Sequence, residues 1–409
     1  MDTRRTRPLS VVIGAGGTGG HIYPGLALAD ALRRADPEAA ISFIGTARGL
    51  EGRLIPGAGY PLHLVDMIPF DPGLGARRFL LPADLLRSAG QAREIARAQG
   101  AEVVVGMGGY PSAPAVLGAR LAGLPALIHE SNAVPGRANR FAARLTPHVA
   151  VAFDPARSHL HGGQNALTTG MPVAAEIAEL AALPARSPAR EARRAAARRR
   201  LGVPEGRRLV VVNGGSLGAT RLTEAALELA ERWSGRDDVH LVVKTGPAAL
   251  ADARLRLGRG GGERVALAVP YLDRMADAYA AADLLVCRAG SATVAELAAT
   301  GVPAVLVPYP HAPGDHQTHN ARVLTDAGAG VLVPDAEATA DRLAAIVAPL
   351  LDEPARLAAM AAAAPPGPHA HAADLLAAEV LRLAGRPRLR PLPSADPRPT
   401  SFTTAREQI

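Results

Sequence analysis

The residues near the start of the chain that are best suited to chemistry form a glycine loop followed by a histidine. Residues 14–19 (GAGGTG) have the G-x-G-x-x-G spacing of a dinucleotide-binding loop and come straight after the apolar run 9–13. Amides at the start of the next helix suit a phosphate group. His21 stands beside this loop, and an imidazole that titrates near neutrality can take a proton from a substrate hydroxyl. A histidine that only caps or packs is an equally good interpretation of the loop by itself.

The first loop alone leaves an NADP-dependent oxidoreductase open. A dinucleotide site requires an acidic residue near the end of the second strand to bind the ribose. The apolar run 40–44 is instead followed by Gly45, Thr46, Ala47 and Arg48. Because Arg48 would suit a 2′-phosphate, this class stays open until the second half of the chain is considered.

Apolar runs and helix-like segments alternate in two successive cycles, which is typical of parallel sheets covered by helices on both faces. The first glycine loop leads into an expected helix over residues 23–34, with Pro24 in its first turn. The second cycle opens with residues 209–212 and another glycine turn, 213–216. The sequence therefore predicts an α/β protein with two Rossmann-like domains. The expected strands are 9–13, 40–44, 102–105, 126–129 and 149–153, then 209–212, 240–243, 265–268, 284–287 and 304–307.

Length and composition fit this plan. A chain of 409 residues exceeds what one core usually supports, and 48% hydrophobic with 20% charged residues excludes general disorder. No unbroken apolar run suits a membrane-spanning helix, and the polar residues 1–10 predict no signal peptide. The single cysteine, Cys287, excludes an internal disulfide and a Cys-cluster metal site. We expect it in the core of a protein from a reducing cytoplasm.

The chain is basic, with a formal net charge of +7 and a pI near 10.2. Such charge would attract anionic lipid, nucleic acid or phosphorylated substrates. Lys244 is the only lysine in an alanine-rich chain, so biased composition accounts for much of the arginine content. Because only 3% of the residues are aromatic and the sequence has no recognisable nucleic-acid-binding motif, we expect no nucleic-acid partner.

The domain borders follow from turn-rich and low-complexity stretches. We expect an N-terminal domain over residues 1–170, a C-terminal domain over 171–351, closing helices over 352–385 that return to the N-terminal domain, and a disordered tail over 386–409. The joint is the turn at Gly170, Met171 and Pro172. Residues 185–200 read as an exposed helix or a loose insertion, and 372–383 as the last closing helix.

Five segments carry a resemblance to a known family. They are residues 14–27 (GAGGTGGHIYPGLA), 106–110 (GMGGY), 129–136 (HESNAVPG), 214–219 (GGSLGA) and 287–296 (CRAGSATVAE). One glycine loop arises often by chance, whereas five such segments at domain-scale spacing do not. Over residues 9–351 the chain resembles the MurG family, the UDP-N-acetylglucosamine:undecaprenyl-diphospho-muramoyl-pentapeptide N-acetylglucosaminyltransferases of bacterial cell-wall synthesis.

The resemblance implies a GT-B fold, in which two Rossmann-like domains face a cleft. It also implies inverting transfer of N-acetylglucosamine from UDP-GlcNAc to the 4-hydroxyl of a lipid-diphosphate-linked MurNAc-pentapeptide. The nucleotide-sugar would bind mainly to the C-terminal domain and the acceptor mainly to the N-terminal one, with His21 as the catalytic base. The implied substrate-binding residues are Thr18, Gly19, Gly20, Asn132, Ser216, Leu272, Ser291, Ala292, Thr293, Val294, Ala295, Glu296 and Gln317.

By similarity, three of these features bind the nucleotide. Glu296 would accept hydrogen bonds from the ribose diol. Ser216 and the backbone amides of residues 290–294 would bind the diphosphate. The backbone at Leu272 would contact the uracil. A helix-surface charge is the alternative for Glu296.

Two amides are implied for the sugar. Gln317 would bind donor-sugar hydroxyls, and Asn132 would contact the transferred N-acetylglucosamine. Either residue could instead be a surface amide. The chain has no Asp-x-Asp pair of the kind that holds a metal on a leaving diphosphate, so we expect no metal and no cofactor, with glycine-loop amides supplying the positive potential.

The chain departs from the family pattern around the donor and phosphate contacts. Ala174 stands where an arginine is expected, and Ser131 and Leu217 replace glutamines. A paralogous glycosyltransferase with a different acceptor therefore stays open, as does a UDP-sugar 2-epimerase of the same two-domain plan, although segment 129–136 favours the transferase. Arg157 or an arginine within 186–200 is a candidate to replace the missing charge.

A lipid-linked acceptor implies peripheral binding to the cytoplasmic side of the cell membrane. Apolar groups mixed with arginines suit such an interface, although the same segment could cover the core. The expected patch comprises Leu74, Arg77, Arg78, Phe79, Leu80, Leu81, Leu85, Leu86 and Arg87.

Overall fold

The computed structural model describes residues 7–67, 81–215, 218–365 and 367–386. They form two compact units. One contains the residues up to Ala174 and those from Pro368 onward, and the other is Ala175–Gly367. Ser216, Leu217, residues 68–80 and all of the predicted tail 386–409 except Arg386 lie outside the described residues.

Helices and strands alternate along the chain. The strands are β1 (Ser10–Gly14), β2 (Ala40–Gly45), β3 (Leu62–Leu64), β4 (Val103–Gly106), β5 (Ala126–Glu130), β6 (His148–Val151), β7 (Leu167–Thr168), β8 (Arg208–Asn213), β9 (Val239–Lys244), β10 (Ala266–Val269), β11 (Leu284–Cys287), β12 (Ala304–Leu306) and β13 (Gly330–Leu332). The α-helices are α1 (Gly19–Ala35), α2 (Glu51–Gly57), α3 (Leu81–Ala98), α4 (Ser112–Ala122), α5 (Arg137–Ala142), α6 (Ala175–Ala182), α7 (Pro188–Arg200), α8 (Thr220–Arg232), α9 (Leu250–Gly260), α10 (Met275–Ala281), α11 (Ser291–Thr300), α12 (His316–Thr325), α13 (Ala340–Asp352), α14 (Pro354–Ala362) and α15 (Ala372–Leu383).

The first unit has one parallel sheet in the order β3-β2-β1-β4-β5-β6-β7. Its central strands are runs of Val, Ile and Leu without polar alternation, because both faces are buried. Helix α15 joins this unit through Leu376 and Val380, which belong to the same core as β1 and α1. The ion pair between Arg34 and Asp374, at 2.8 Å, fixes α15 against α1 at the surface.

The second unit repeats the plan with a parallel sheet in the order β10-β9-β8-β11-β12-β13. Counted from its own first strand, this is the 3-2-1-4-5-6 order of a Rossmann fold, and the first unit has the same order before β7. The prediction of two Rossmann-like domains is confirmed. In both sheets the strand order reverses beside the first strand, which is where ligands of such folds bind.

The predicted strands are all present, with ends that differ from the prediction by at most two residues. The sequence missed β3, β7 and β13, which have two or three residues each and lie at or near sheet edges, where the apolar pattern is weak. The first helix begins at Gly19, so Pro24 lies inside α1 and not in its first turn. The predicted helix start was wrong because consecutive glycines usually indicate a loop, whereas here Gly19 and Gly20 lie in the first helical turn.

The arginine-rich segment 185–200 is an ordered helix and not a loose insertion. The Ser187 side chain caps α7 by accepting from the Arg190 amide at 3.2 Å. The guanidinium of Arg190 donates to Leu180 O at 3.1 Å, and that of Arg200 forms a bidentate pair with Asp277 at 2.6 and 2.7 Å. These arginines are structural, because they tie α7 to its own unit.

Within the described part of the chain, no helix has both the length and the apolar character needed to cross a bilayer.

Candidate functional site

In the first unit, the reversal of strand order lies between β1 and β4, and His21 stands there. The ring of His21 lies against the turn after β4, where Gly108 and Gly109 have φ values of +94° and +75°. A Cβ on Gly108 would come within 2.7 Å of the His21 ring carbon Cδ2. Thr18 Oγ1 lies 3.4 Å from His21 Nδ1. The glycine turn therefore provides the space for an imidazole that is half-buried at the strand edge.

A buried carboxylate holds the first glycine loop in place. Glu51, at the start of α2, is fully buried and accepts from the Gly17 amide at 2.9 Å. It also accepts from the amide and the hydroxyl of Thr46, at 3.0 and 2.8 Å. The dinucleotide interpretation assigns the amides of this loop to a pyrophosphate. One of them, the Gly17 amide, already donates to the Glu51 carboxylate. This arrangement counts against an NADP site in the first unit.

A second buried carboxylate shapes the loop after β5. Glu130 is 2% exposed and accepts from the Asn132 amide at 2.8 Å and from Asn139 Nδ2 at 2.9 Å. The Asn132 side chain itself donates to Glu130 Oε1 at 3.2 Å. Burial raises the pKa of the Glu130 carboxyl, although these hydrogen bonds oppose the shift. Asn132 is therefore held at the carboxyl edge of the same sheet as His21.

Two buried histidines hold the joint after β7. His129 Nε2 donates to Gly170 O at 2.9 Å, and the Met171 amide donates to His369 Nδ1 at 3.0 Å. Burial lowers the pKa of each histidine to about 4. Both rings are therefore neutral at physiological pH, and neither is suited to act as a base there.

In the second unit, the reversal of strand order lies between β8 and β11, next to the second glycine turn. Asn213 Oδ1 accepts from the Gly215 amide at 3.0 Å, and Gly215 has φ +78°. Lys244 Nζ donates to Gly215 O at 2.7 Å. The predicted diphosphate ligand Ser216 lies outside the described residues.

The loop after β11 leads into the N-terminus of α11. Gly290 is the extended N-cap residue, and Ser291, Ala292 and Thr293 form the first turn, whose amides have no carbonyl partner one turn earlier within the helix. The Val294 amide already donates to Gly290 O at 3.0 Å. Of the predicted contacts on this helix, the amides of residues 291–293 are thus the ones placed to receive an anion.

Glu296 is fixed by a buried tyrosine one helix away. The Tyr279 hydroxyl donates to Glu296 Oε2 at 2.6 Å, and Tyr279 is 2% exposed. Cys287 is fully buried beside them, as predicted, and burial with the nearby Glu296 charge raises its pKa to about 12. Glu296 itself is partly exposed, and this bond holds its carboxylate in one position; its role as a ribose ligand stays a prediction.

Gln317 links the loops after β11 and β12. Its Oε1 accepts from the Ala289 amide at 3.0 Å and from the Tyr309 amide at 2.9 Å. Any contact with a sugar hydroxyl would therefore come from Nε2. Leu272, in the loop after β10, is 7% exposed and lies at the same carboxyl edge of the second sheet.

Sequence reasoning missed Glu51, Glu130, Tyr279 and Lys244 as residues of these sites. Glu130 lies inside a quoted motif, and an acid at the end of a buried strand was a usable signal. Lys244 was noticed only as the single lysine. Glu51 and Tyr279 gave no signal of their roles, because Gly17 and Glu296, the site residues that they bind, are 34 and 17 residues away along the chain.

Several of the predicted substitutes for the charge missing at position 174 are engaged elsewhere. Arg157 donates to Gln164 O at 2.9 Å within its own loop. Arg194 pairs with Asp283 at 2.9 Å, and Arg198 pairs with the same carboxylate at 3.5 Å.

Two family matches cover most of the chain. Residues 11–151 match the glycosyltransferase family 28 N-terminal domain, and residues 209–379 match the glycosyltransferase family 28 C-terminal domain. Together with two Rossmann-like sheets that carry glycine turns at their switch points, these matches define a glycosyltransferase of the GT-B type.

A relative and a solved structure narrow the class. The chain is 42% identical over 383 residues to the UDP-N-acetylglucosamine–N-acetylmuramyl-(pentapeptide) pyrophosphoryl-undecaprenol N-acetylglucosamine transferase of Frankia casuarinae, covering 93% of this chain and 98% of the relative. The crystal structure of Acinetobacter baumannii MurG superposes with a TM-score of 0.73 at 28% identity, covering 92% of this chain and all of that one. The chain belongs to the MurG family.

A fold likeness also extends to the epimerase alternative. A putative UDP-N-acetylglucosamine 2-epimerase from Listeria monocytogenes has a TM-score of 0.61 at 17% identity, covering 94% of this chain and 98% of that one. At that identity the likeness concerns the fold alone.

Proposed function

We propose that this protein transfers N-acetylglucosamine from UDP-GlcNAc to the 4-hydroxyl of undecaprenyl-diphospho-MurNAc-pentapeptide, with inversion at the anomeric carbon. The observation that carries the proposal is the 42% identity over 93% of the chain to a relative named for this transfer. The site residues of both units are compatible with the reaction.

The second unit would bind the donor. Glu296, held through one carboxylate oxygen by Tyr279, would accept hydrogen bonds from the ribose hydroxyls. The amides of Ser291, Ala292 and Thr293 would bind the diphosphate with the favourable dipole of α11 behind them. Ser216 would contribute from the glycine turn, and the backbone at Leu272 would contact the uracil. Preorganised amides of this kind stabilise the charge that the departing UDP acquires.

The first unit would bind the acceptor and supply the base. As the acceptor O4 attacks the anomeric carbon, His21 would take the proton from that oxygen. The bond from the anomeric carbon to the β-phosphate oxygen breaks on the opposite face, and its electron pair leaves with UDP. Thr18, Gly19 and Gly20 would position the acceptor at the start of α1, and Asn132 and the Nε2 group of Gln317 would bind the sugar being transferred.

Because the proposed acceptor carries a lipid tail, we propose that the protein binds peripherally to the membrane, on its cytoplasmic face. Of the proposed patch, Leu86 is 62% exposed on α3, and the neighbouring Arg87 side chain is 57% exposed. An exposed leucine beside an arginine suits insertion between anionic headgroups. Vesicles of phosphatidylglycerol should co-sediment the protein, and replacing Phe79, Leu80, Leu81 and Leu86 with serine should release it. Unchanged co-sedimentation would count against the patch.

One assay tests donor, acceptor and reaction type together. Purified protein is incubated with UDP-GlcNAc, a short-chain lipid-linked muramoyl-pentapeptide and a chelator, and the disaccharide product and UDP are quantified. We expect equal amounts of both products, with no product from UDP-glucose. A parallel incubation without acceptor tests the epimerase alternative, because conversion of UDP-GlcNAc to its 2-epimer would appear there. That conversion, or the absence of disaccharide, would refute the proposed function.

A further inference from the structure

The only lysine of the chain lies at the strand edge proposed to bind the donor diphosphate. Lys244 is the last residue of β9, and every other basic residue among the 45 Lys and Arg is an arginine. The two cations are not interchangeable, because an ammonium is a compact charge, whereas a guanidinium is a planar fork. A lysine at this single position is therefore notable in a chain that uses arginine everywhere else.

The strand register places Lys244 level with the ends of β8 and β11, the strands that lead into the glycine turn and into the loop before α11. Lys244 pairs with Asn213 on β8, and Asn213 pairs with Cys287 on β11. Neighbouring strands are about 4.8 Å apart, so the Lys244 backbone is about 10 Å from the strand that leads into α11. A lysine side chain at the carboxyl edge can extend over much of that distance.

The bond from Lys244 changes the electrostatics of the glycine turn. Its Nζ donates to Gly215 O at 2.7 Å, while Asn213 Oδ1 accepts from the Gly215 amide at 3.0 Å. A carbonyl oxygen beside a diphosphate would be repulsive. The ammonium offsets the partial negative charge of that oxygen at the position proposed for the diphosphate.

The neighbouring arginine at this edge is already neutralised. Arg288 donates to Asp335 Oδ1 at 2.6 Å and to Val307 O at 3.1 Å, and it is 9% exposed. Ala174 carries no charge, and Arg194 and Arg200 of α7 pair with Asp283 and Asp277, respectively.

We propose that Lys244 is the cation that binds the diphosphate of the donor nucleotide in this protein. The proposal rests on the proposed function and adds a residue to its donor site. It predicts that Lys244 recognises the phosphates and not the nucleoside.

The first experiment compares the affinities of the full-length protein for uridine, UMP and UDP by calorimetry. Lys244→Met should weaken UDP binding roughly ten- to hundredfold, the usual range for a charge-assisted contact, and leave uridine binding unchanged. Lys244→Gln can still donate to Gly215 O but lacks the charge, so it should lose as much. Lys244→Arg should retain part of the affinity. Arg259→Met, which removes a positive charge from the exposed end of α9, is the matched control and should bind all three ligands normally.

The second experiment requires no variant. Because Lys244 is the only side-chain amine, reductive methylation followed by mass spectrometry reports on it alone, apart from the N-terminus. UDP should slow its modification, and uridine should not.

The outcomes separate the two proposals. Wild-type protein that binds neither UDP nor uridine would refute the proposed donor site itself. If the wild type binds UDP and Lys244→Met binds it equally well, or if Lys244→Gln retains full affinity, only the role of Lys244 is refuted. Equal protection of the amine by uridine and UDP would also refute it.

Discussion

The hydroxyl of Tyr279 donates to Oε2 of Glu296 across 2.6 Å, from a ring that is 2% exposed. The bond fixes one oxygen of the proposed ribose ligand and orients the other. Burial and the Glu296 charge both raise the pKa of Tyr279 far above its usual range, so the phenol remains a donor at all working pH values.

Tyr279→Phe should therefore reduce recognition of the ribose diol. We expect UDP affinity to fall roughly tenfold, and the preference for UDP over 2′-deoxy-UDP to shrink, because an unanchored carboxylate distinguishes the diol less well. Titration with both nucleotides measures this. Tyr60→Phe, which removes the matching 2.7 Å bond to Asp30 in the first unit, should leave the preference intact. An unaltered preference in Tyr279→Phe would disprove the positioning role.

His21→Gln should leave the donor site intact and remove the proposed base. We expect turnover to fall by roughly two to four orders of magnitude, while the dissociation constant for UDP is unchanged. Steady-state kinetics and UDP titration on one preparation separate the two effects. The exposed His159 offers a control, since His159→Gln should keep wild-type turnover. Full activity of His21→Gln would mean that another group is the base.

Glu51→Gln should loosen the first glycine loop. The carboxylate accepts from the Gly17 amide and from both polar groups of Thr46, and a neutral amide accepts more weakly. We expect a loss of about 1–3 kcal/mol in the free energy of unfolding and a raised KM for the acceptor, with the KM for UDP-GlcNAc little changed. Urea denaturation and kinetics with each substrate varied would test this, with the exposed Glu38→Gln as the control.

Acid should destabilise the protein through its buried histidines. Burial lowers the pKa of His129, His240 and His369 to about 4, against a usual value of 6.5. Between these pH values the unfolded chain binds more protons than the native state. The stabilising contribution is therefore complete above pH 6.5 and is lost as the pH falls through 4. Raised pKa values at Glu130 and Asp30 act in the opposite direction.

His240 allows one histidine contribution to be isolated. Neither of its ring nitrogens has a hydrogen-bond partner within the described chain, so His240→Leu should be neutral or stabilising at pH 7. It should also reduce the loss of unfolding free energy between pH 6.5 and pH 4 by roughly 2–3 kcal/mol. Urea titrations across this range measure both effects, and parallel curves for the two proteins would contradict the shifted pKa.

The sequence predicted the parts of the fold that depend on local pattern. Runs such as Val210 to Val212 identify buried strands, because no polar alternation interrupts them, and glycine turns mark the ends of β1 and β8. The short edge strand β7 has only two residues, and such a segment carries too little pattern to be recognised.

The site residues that lie within sequence motifs could be predicted. The residues that position them from distant parts of the chain could not. His21 and Glu296 lie in recognisable segments. The partners that orient the loops and side chains, such as Glu51 and Tyr279, meet them only after the sheet has formed. Long-range pairs of this kind have no signature in a single sequence, since neither residue is unusual in its own neighbourhood.

Helix α15 has a consequence for how the protein is made. Its residues Leu376 and Val380 complete the core around α1, and the Arg386 guanidinium contacts Glu102 at 2.7 Å. The first unit therefore leaves the ribosome in two separate parts, one before and one after Ala175–Gly367, which emerges as one continuous piece. The nascent N-terminal region must wait, with the α15-facing side of α1 uncovered, until α15 has been translated.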